Sequence, residues 1–111
     1  TKGKKDPMLL TPMAISAAGH YAPPPIDKMN PYISPIYGDF SNLPRTLILV
    51  GEQEILLDDS RIAGKHANVA GSKFTVDIWP NLFHDWWLFG SLLPETNQCL
   101  QKVSDWIQSS E

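Results

Sequence analysis

The 111 residues allow at most one modest domain, and their 42% apolar content supplies a core and argues against disorder for most of the chain. A net charge of −3 and a pI near 5.5 argue against a nucleic-acid partner, because binding phosphate requires a basic face. One cysteine, Cys99, excludes an internal disulfide and a cysteine-based zinc site and fits residence in the cytoplasm; no run approaches the ~18 apolar residues of a membrane span.

In chain order, the basic run Lys2, Lys4 and Lys5 reads as a solvated end. No leader with a charged start and an apolar run follows, and the start at Thr1 reads as a piece or a mature product. The stretch "LTPMAISAAGHY" predicts a short helix, with Thr11 as its cap, Pro12 at the first helical position and Gly19 at its stop. Residues 20–45 are dense in proline (Pro23-Pro24-Pro25, Pro31, Pro35, Pro44), so an extended loop with turns is expected there, lying over another layer.

From Thr46 the pattern turns regular. "TLILV" (46–50) is a continuous β-favouring run closed by Gly51, the mark of a strand buried on both faces. "DDSRIAGKHANVAG" (58–71) predicts a helix with acids in its first turn, Ile62, Ala63, Ala67 and Ala70 near one face, and Gly71 at its end. "KFTVDIW" (73–79) predicts a second strand, broken by Pro80-Asn81. A last helix is expected from Glu95 to Gln108, with Leu100, Val103, Trp106 and Ile107 as its buried stripe and Cys99 beside it.

Strand, helix, strand, loop, helix makes a right-handed βαβ unit with one returning helix. Two parallel strands are too few for a stable sheet, so the expectation is the C-terminal portion of a larger α/β domain. Residues 1–45 read as a proline-rich lead-in with a short helix, and 46–111 as the βαβα part.

In doubly wound sheets, function gathers in the loops past the C-terminal ends of strands. Here the loop "GEQEILLDD" offers Glu52, Glu54, Asp58 and Asp59, and "WPNLFHDWW" offers His84 and Asp85. Adjacent parallel strands lie about 4.8 Å apart, so one of the carboxylates can reach the imidazole. Such a carboxylate fixes the ring's tautomer and stabilises the imidazolium that forms when it accepts a proton, the general-base half of a nucleophilic hydrolase. The plainer alternatives are a structural histidine within ordinary aromatic packing, and helix-start acids at Asp58 and Asp59. His20 and His66 have no partner pattern, and the three histidines have no metal-ligand spacing. A nucleotide-binding α/β protein is a poor fit, since neither G-x-G-x-x-G nor a P-loop is present and Gly51 stands alone.

Three blocks carry a family resemblance. One is "SP-x-YGD-x-x-x-LP" (Ser34 to Pro44), a second is "VG-x-x-E-x-L-x-DDS" (Val50 to Ser60), and the third is the "AG" closing the helix, followed by a strand and "W-P-x-x-x-H" (Trp79 to His84). With "KDPMLLTP" upstream, they resemble the C-terminal third of the hormone-sensitive-lipase family of α/β-hydrolases, the microbial esterase branch in particular. The resemblance implies an α/β-hydrolase fold acting on a small apolar ester, without cofactor or metal. His84 matches the family's catalytic histidine. Glu54 matches the acid position, where Asp is more usual, and Asp58 is the next candidate. Asp85 departs from the small or apolar residue that commonly follows the histidine.

Trp86, Trp87 and Phe89 would then line or underlie the acyl site. The family's nucleophile motif G-x-S-x-G and its HGG-type oxyanion loop occur nowhere in the 111 residues. The expectation is a segment supplying acid and histidine to a Ser–acid–His triad, inactive alone, whose partner is the missing N-terminal part or a second copy. From another class, the alternative is a non-catalytic remnant acting as a binding module.

Overall fold

The computed structural model describes residues 6–109, so the reading of Lys2, Lys4 and Lys5 lies outside the described residues. Strands β1 (Thr46–Gly51) and β2 (Phe74–Trp79) pair in parallel, Thr46 opposite Phe74 through Gly51 opposite Trp79. Helix α2 (Leu57–Val69) forms the crossover between them. Helix α1 (Thr11–Tyr21) precedes the proline-rich segment, which holds a single 3-10 turn at Pro35–Tyr37. A second 3-10 stretch, Trp86–Leu92, leads into α3 (Pro94–Gln108).

The shared register puts Gly51 and Trp79 side by side at one rim. Backbone bonds carry the pairing past that rim: the Glu52 amide donates to the Trp79 carbonyl (2.8 Å) and the Gln53 amide to the Leu82 carbonyl (2.9 Å). Both post-strand loops therefore leave the sheet joined.

The core lies between the end of β2 and α3, where Trp79, Leu82, Trp86 and Cys99 are buried together and Leu49, Phe83, Leu93 and Val103 pack on them. On the α2 side, Gly64 sits against β2 so closely that a Cβ there would come within 2.5 Å of Val76 Cγ2. At the opposite rim the lead-in is pinned by buried Ser72, whose hydroxyl donates to the Phe40 carbonyl (2.6 Å) and accepts from the Leu43 amide (3.1 Å).

Several local expectations need correction. Helix α1 runs through Gly19 to Tyr21, and no side chain caps its start: Leu10 holds the N-cap, which leaves Thr11 inside the helix. The buried face of α2 is Leu57, Gly64 and Ala67, with Ile62 and Ala70 exposed, because only a glycine admits the close approach of β2. In α3 the inward stripe is Thr96, Cys99, Val103 and Trp106, while Leu100 and Ile107 are exposed. Strand β1 is fully buried only at Val50 and Gly51, since β2 is its sole neighbour among the described residues. Trp86 is a core residue with no exposed surface, so of the two expected positions, lining or underlying an acyl site, only the second is open to it.

Candidate active site

Glu54 and His84 sit in the two loops that leave the joined rim. Glu54 follows a tight turn in which its amide donates to the Gly51 carbonyl at 3.1 Å. That turn folds its side chain back over the strand end, and Oε2 accepts the Gly51 amide. Oε1 is left to face the imidazole, and His84 Nδ1–H donates to it at 2.9 Å. A carboxylate can only accept, so this bond places the proton on Nδ1.

The Glu54 side chain is 4% exposed and that of His84 is 26% exposed. The acid is thus buried and held by two donors, while the ring keeps an open edge. A buried carboxylate with both oxygens bonded is a fixed negative charge beside the ring, and stabilises positive charge arriving on it.

The fit of the loops depends on Gly51. A Cβ there would lie 2.2 Å from the Leu82 carbonyl oxygen and 3.0 Å from the Phe83 amide nitrogen, both backbone atoms that cannot rotate away. Only glycine lets the histidine loop cross the end of β1 so closely.

Nε2, the other ring nitrogen, lies 3.2 Å from Asp85 Oδ2. This contact is a hydrogen bond only while both ring nitrogens carry protons. Asp85 takes a left-handed conformation (φ 55°) at the start of the 3-10 stretch, which turns its carboxylate back on the ring. Its side chain is 36% exposed against 4% for that of Glu54, which makes it the looser neighbour.

The other sequence candidates are placed elsewhere. Asp58 is 70% exposed and pairs with Arg61 at 3.8 Å. Glu52 accepts the Asn81 amide, bracing the two loops rather than the ring. Trp87 and Phe89 are partly exposed, and Phe89 stands edge-on to Phe83 at 5.3 Å. His20 Nδ1–H donates to the Ser16 carbonyl within α1, and His66 packs edge-on to Phe40. No group of three or more His, Cys, Asp or Glu side chains among the described residues could hold a metal ion. No helix among them is long and apolar enough to cross a membrane.

Sequence reasoning passed over Asp6. The residue is 1% exposed; Oδ1 accepts the amides of Met8 (3.0 Å), Leu9 (3.2 Å) and His84 (3.3 Å), and Oδ2 accepts that of Ile55 (3.3 Å). The one available signal was its place in the "KDPMLLTP" block of the resemblance.

Comparison with known proteins agrees with the fold. A family model described as the alpha/beta hydrolase fold matches residues 1–88. An acetyl-hydrolase of Streptomyces hygroscopicus is 34% identical over 84 residues, covering 76% of this chain and 28% of the relative. An esterase of Acinetobacter venetianus is 30% identical over 106 residues, covering 96% and 35%. Among solved structures, a hormone-sensitive lipase from a metagenome library superposes with a TM-score of 0.89 at 30% identity, over 96% of this chain and 36% of the other. The chain spans about a third of the length of these relatives. It belongs to the α/β-hydrolase family and corresponds to the C-terminal part of that family's hormone-sensitive-lipase esterases.

Proposed function

We propose that this chain is the acid–histidine part of a carboxylic-ester hydrolase of the esterase/lipase type. The observation that carries the reading is the 2.9 Å bond between buried Glu54 and half-open His84 at the joined rim of two parallel strands. Nδ1 engaged by the acid leaves Nε2 for a nucleophile hydroxyl, which supplies its proton there as it attacks the acyl carbon. The imidazolium so formed is stabilised by Glu54, then returns the proton to the leaving alcohol. Asp85 gives up Nε2 when the nucleophile arrives.

The serine and the oxyanion donors come from a part of the family fold that these 111 residues do not contain, since neither G-x-S-x-G nor an HGG loop occurs in them. The substrate is a small apolar ester, consistent with relatives named acetyl-hydrolase and esterase. The acid is Glu54 rather than Asp58, which points to solvent on the far end of its own ion pair.

The test is turnover of a short-chain p-nitrophenyl ester by the complete protein in which the chain occurs. His84→Ala should cost about 10⁶-fold in kcat and Glu54→Ala about 10³- to 10⁴-fold. Asp58→Ala should be near silent and Asp85→Ala should change kcat by less than about ten-fold. A crippled Asp85→Ala beside an active Glu54→Ala would exchange the roles of the two acids, and an active His84→Ala would end the proposal.

A further inference from the structure

We infer that Asp6 is a positioning residue for the Glu54–His84 pair, its buried carboxylate tying together the backbones of the two loops that carry them. The inference rests on the reading of that pair as acid and base. Asp6 is 78 residues from His84 and 49 from Ile55, yet one carboxylate accepts from both amides, on different oxygens. One of those amides belongs to His84 itself and the other to the residue next to Glu54.

A carboxylate this deeply buried is costly unless its lone pairs are met. Four backbone amides meet them here: Met8 and Leu9 on its own turn, and one from each post-strand loop. The local pair orients the carboxylate, and the distant pair is what the orientation serves. The Glu52–Trp79 and Gln53–Leu82 bonds fix the loops where they leave the sheet. Asp6 joins them again beyond the acid, at the level of the imidazole. Its two oxygens set the spacing between the Ile55 and His84 amides, and so the distance over which Glu54 reaches Nδ1.

Asparagine at this position is close in shape and separates the two ties. Its carbonyl oxygen can keep the Oδ1 bonds to Met8, Leu9 and His84, but its NH₂ then faces the Ile55 N–H, donor against donor. Alanine removes both ties. Neither change touches a ring or carboxylate of the pair, so either effect must pass through loop geometry.

The experiment compares wild type, Asp6→Asn, Asp6→Ala, His84→Ala and Ser72→Ala in the complete protein in which the chain occurs. It uses p-nitrophenyl butyrate for kcat and KM and urea unfolding for stability. Ser72 is the control, because its buried bonds to Phe40 and Leu43 lie at the opposite rim. Positioning predicts that both Asp6 variants unfold cooperatively, keep KM within about two-fold and lose at least about ten-fold in kcat, while Ser72→Ala loses stability and keeps kcat. Wild-type kcat in Asp6→Ala would overturn the inference, as would loss of cooperative unfolding in Asp6→Asn, which would make Asp6 a folding residue. A kcat that falls equally in Ser72→Ala would also overturn it. Full turnover in His84→Ala would instead remove the acid–base reading underneath, whatever the Asp6 variants do.

Discussion

Replacing Gly51 with alanine puts a methyl carbon where the histidine loop already stands. The new Cβ would lie 2.2 Å from the Leu82 oxygen and 2.6 Å from its carbonyl carbon, at least about 1 Å inside van der Waals contact. Both are backbone atoms, so relief requires the loop or the strand end to move. The first bond lost is Gln53 N–H to the Leu82 carbonyl, now 2.9 Å. Overpacking of this kind costs about 1–3 kcal/mol and the broken bond about 1 more, for a total of about 2–4 kcal/mol. His84 lies two residues beyond Leu82, so a shift of about 1 Å carries into the ring and lowers turnover by about 10²-fold. Urea unfolding of the complete protein, followed by tryptophan fluorescence, reads the first effect, since Trp79 and Trp86 stand beside the displaced loop. The p-nitrophenyl ester assay reads the second. An alanine variant within about 0.5 kcal/mol of wild type would refute the claim that close backbone approach selects this glycine.

Two further outcomes follow from other parts of the fold. Arg45 lies over the Trp106 ring at 4.0 Å and donates to the carbonyls of Trp106 (3.0 Å) and Ile107 (3.2 Å), closing the C-terminal end of α3. Lysine cannot reproduce that planar fork, so Arg45→Lys should recover less than half of the stability lost in Arg45→Ala, about 1–2 kcal/mol by urea unfolding. Burial pushes the Cys99 thiol above its ordinary value of 9.0; the Asp77 charge adds to the rise and Lys102 opposes it. The native state then holds this proton after the unfolded chain has lost it, so the thiol's contribution to stability is whole below pH 9.0 and declines as pH rises past it. Unfolding midpoints of wild type and Cys99→Ala, compared from pH 8 to pH 10, should show wild type losing more.

What could be read from the sequence was whatever depends on neighbours along the chain. β1 and β2 were legible because each is a short β-favouring run with a hard stop, Gly51 in one case and Pro80 in the other. The rim position of Glu54 and His84 followed from those strands, because parallel pairing brings the C-terminal ends together. The choice among four carboxylates did not follow from spacing, and family resemblance was needed to single out Glu54. The inward face of α3 was legible at Val103 and Trp106 but not at Leu100 and Ile107, because two apolar stripes fit its periodicity. Thr96, a polar residue, belongs to the stripe that meets the core, while Leu100 belongs to the other. Which of Trp86, Trp87 and Phe89 lies beneath the surface and which reaches it was not legible, because a run of aromatic rings carries no record of which ring turns inward. Asp6 left no signal beyond its place in the "KDPMLLTP" block: its partners in the two post-strand loops are 49 and 78 residues away, and an Asp-Pro pair on its own reads as a turn.

The bonded rungs beyond the sheet have a consequence for how this protein can change in length. With Glu52 locked to Trp79 and Gln53 to Leu82, the count of residues from Gly51 to Glu54 is coupled to the count from Trp79 to His84. One residue added to either side would displace the carboxylate relative to the ring by about the 3.3 Å rise of a strand residue. Insertions and deletions among kin should therefore collect in the proline-rich segment before β1, while these two short intervals keep their tally.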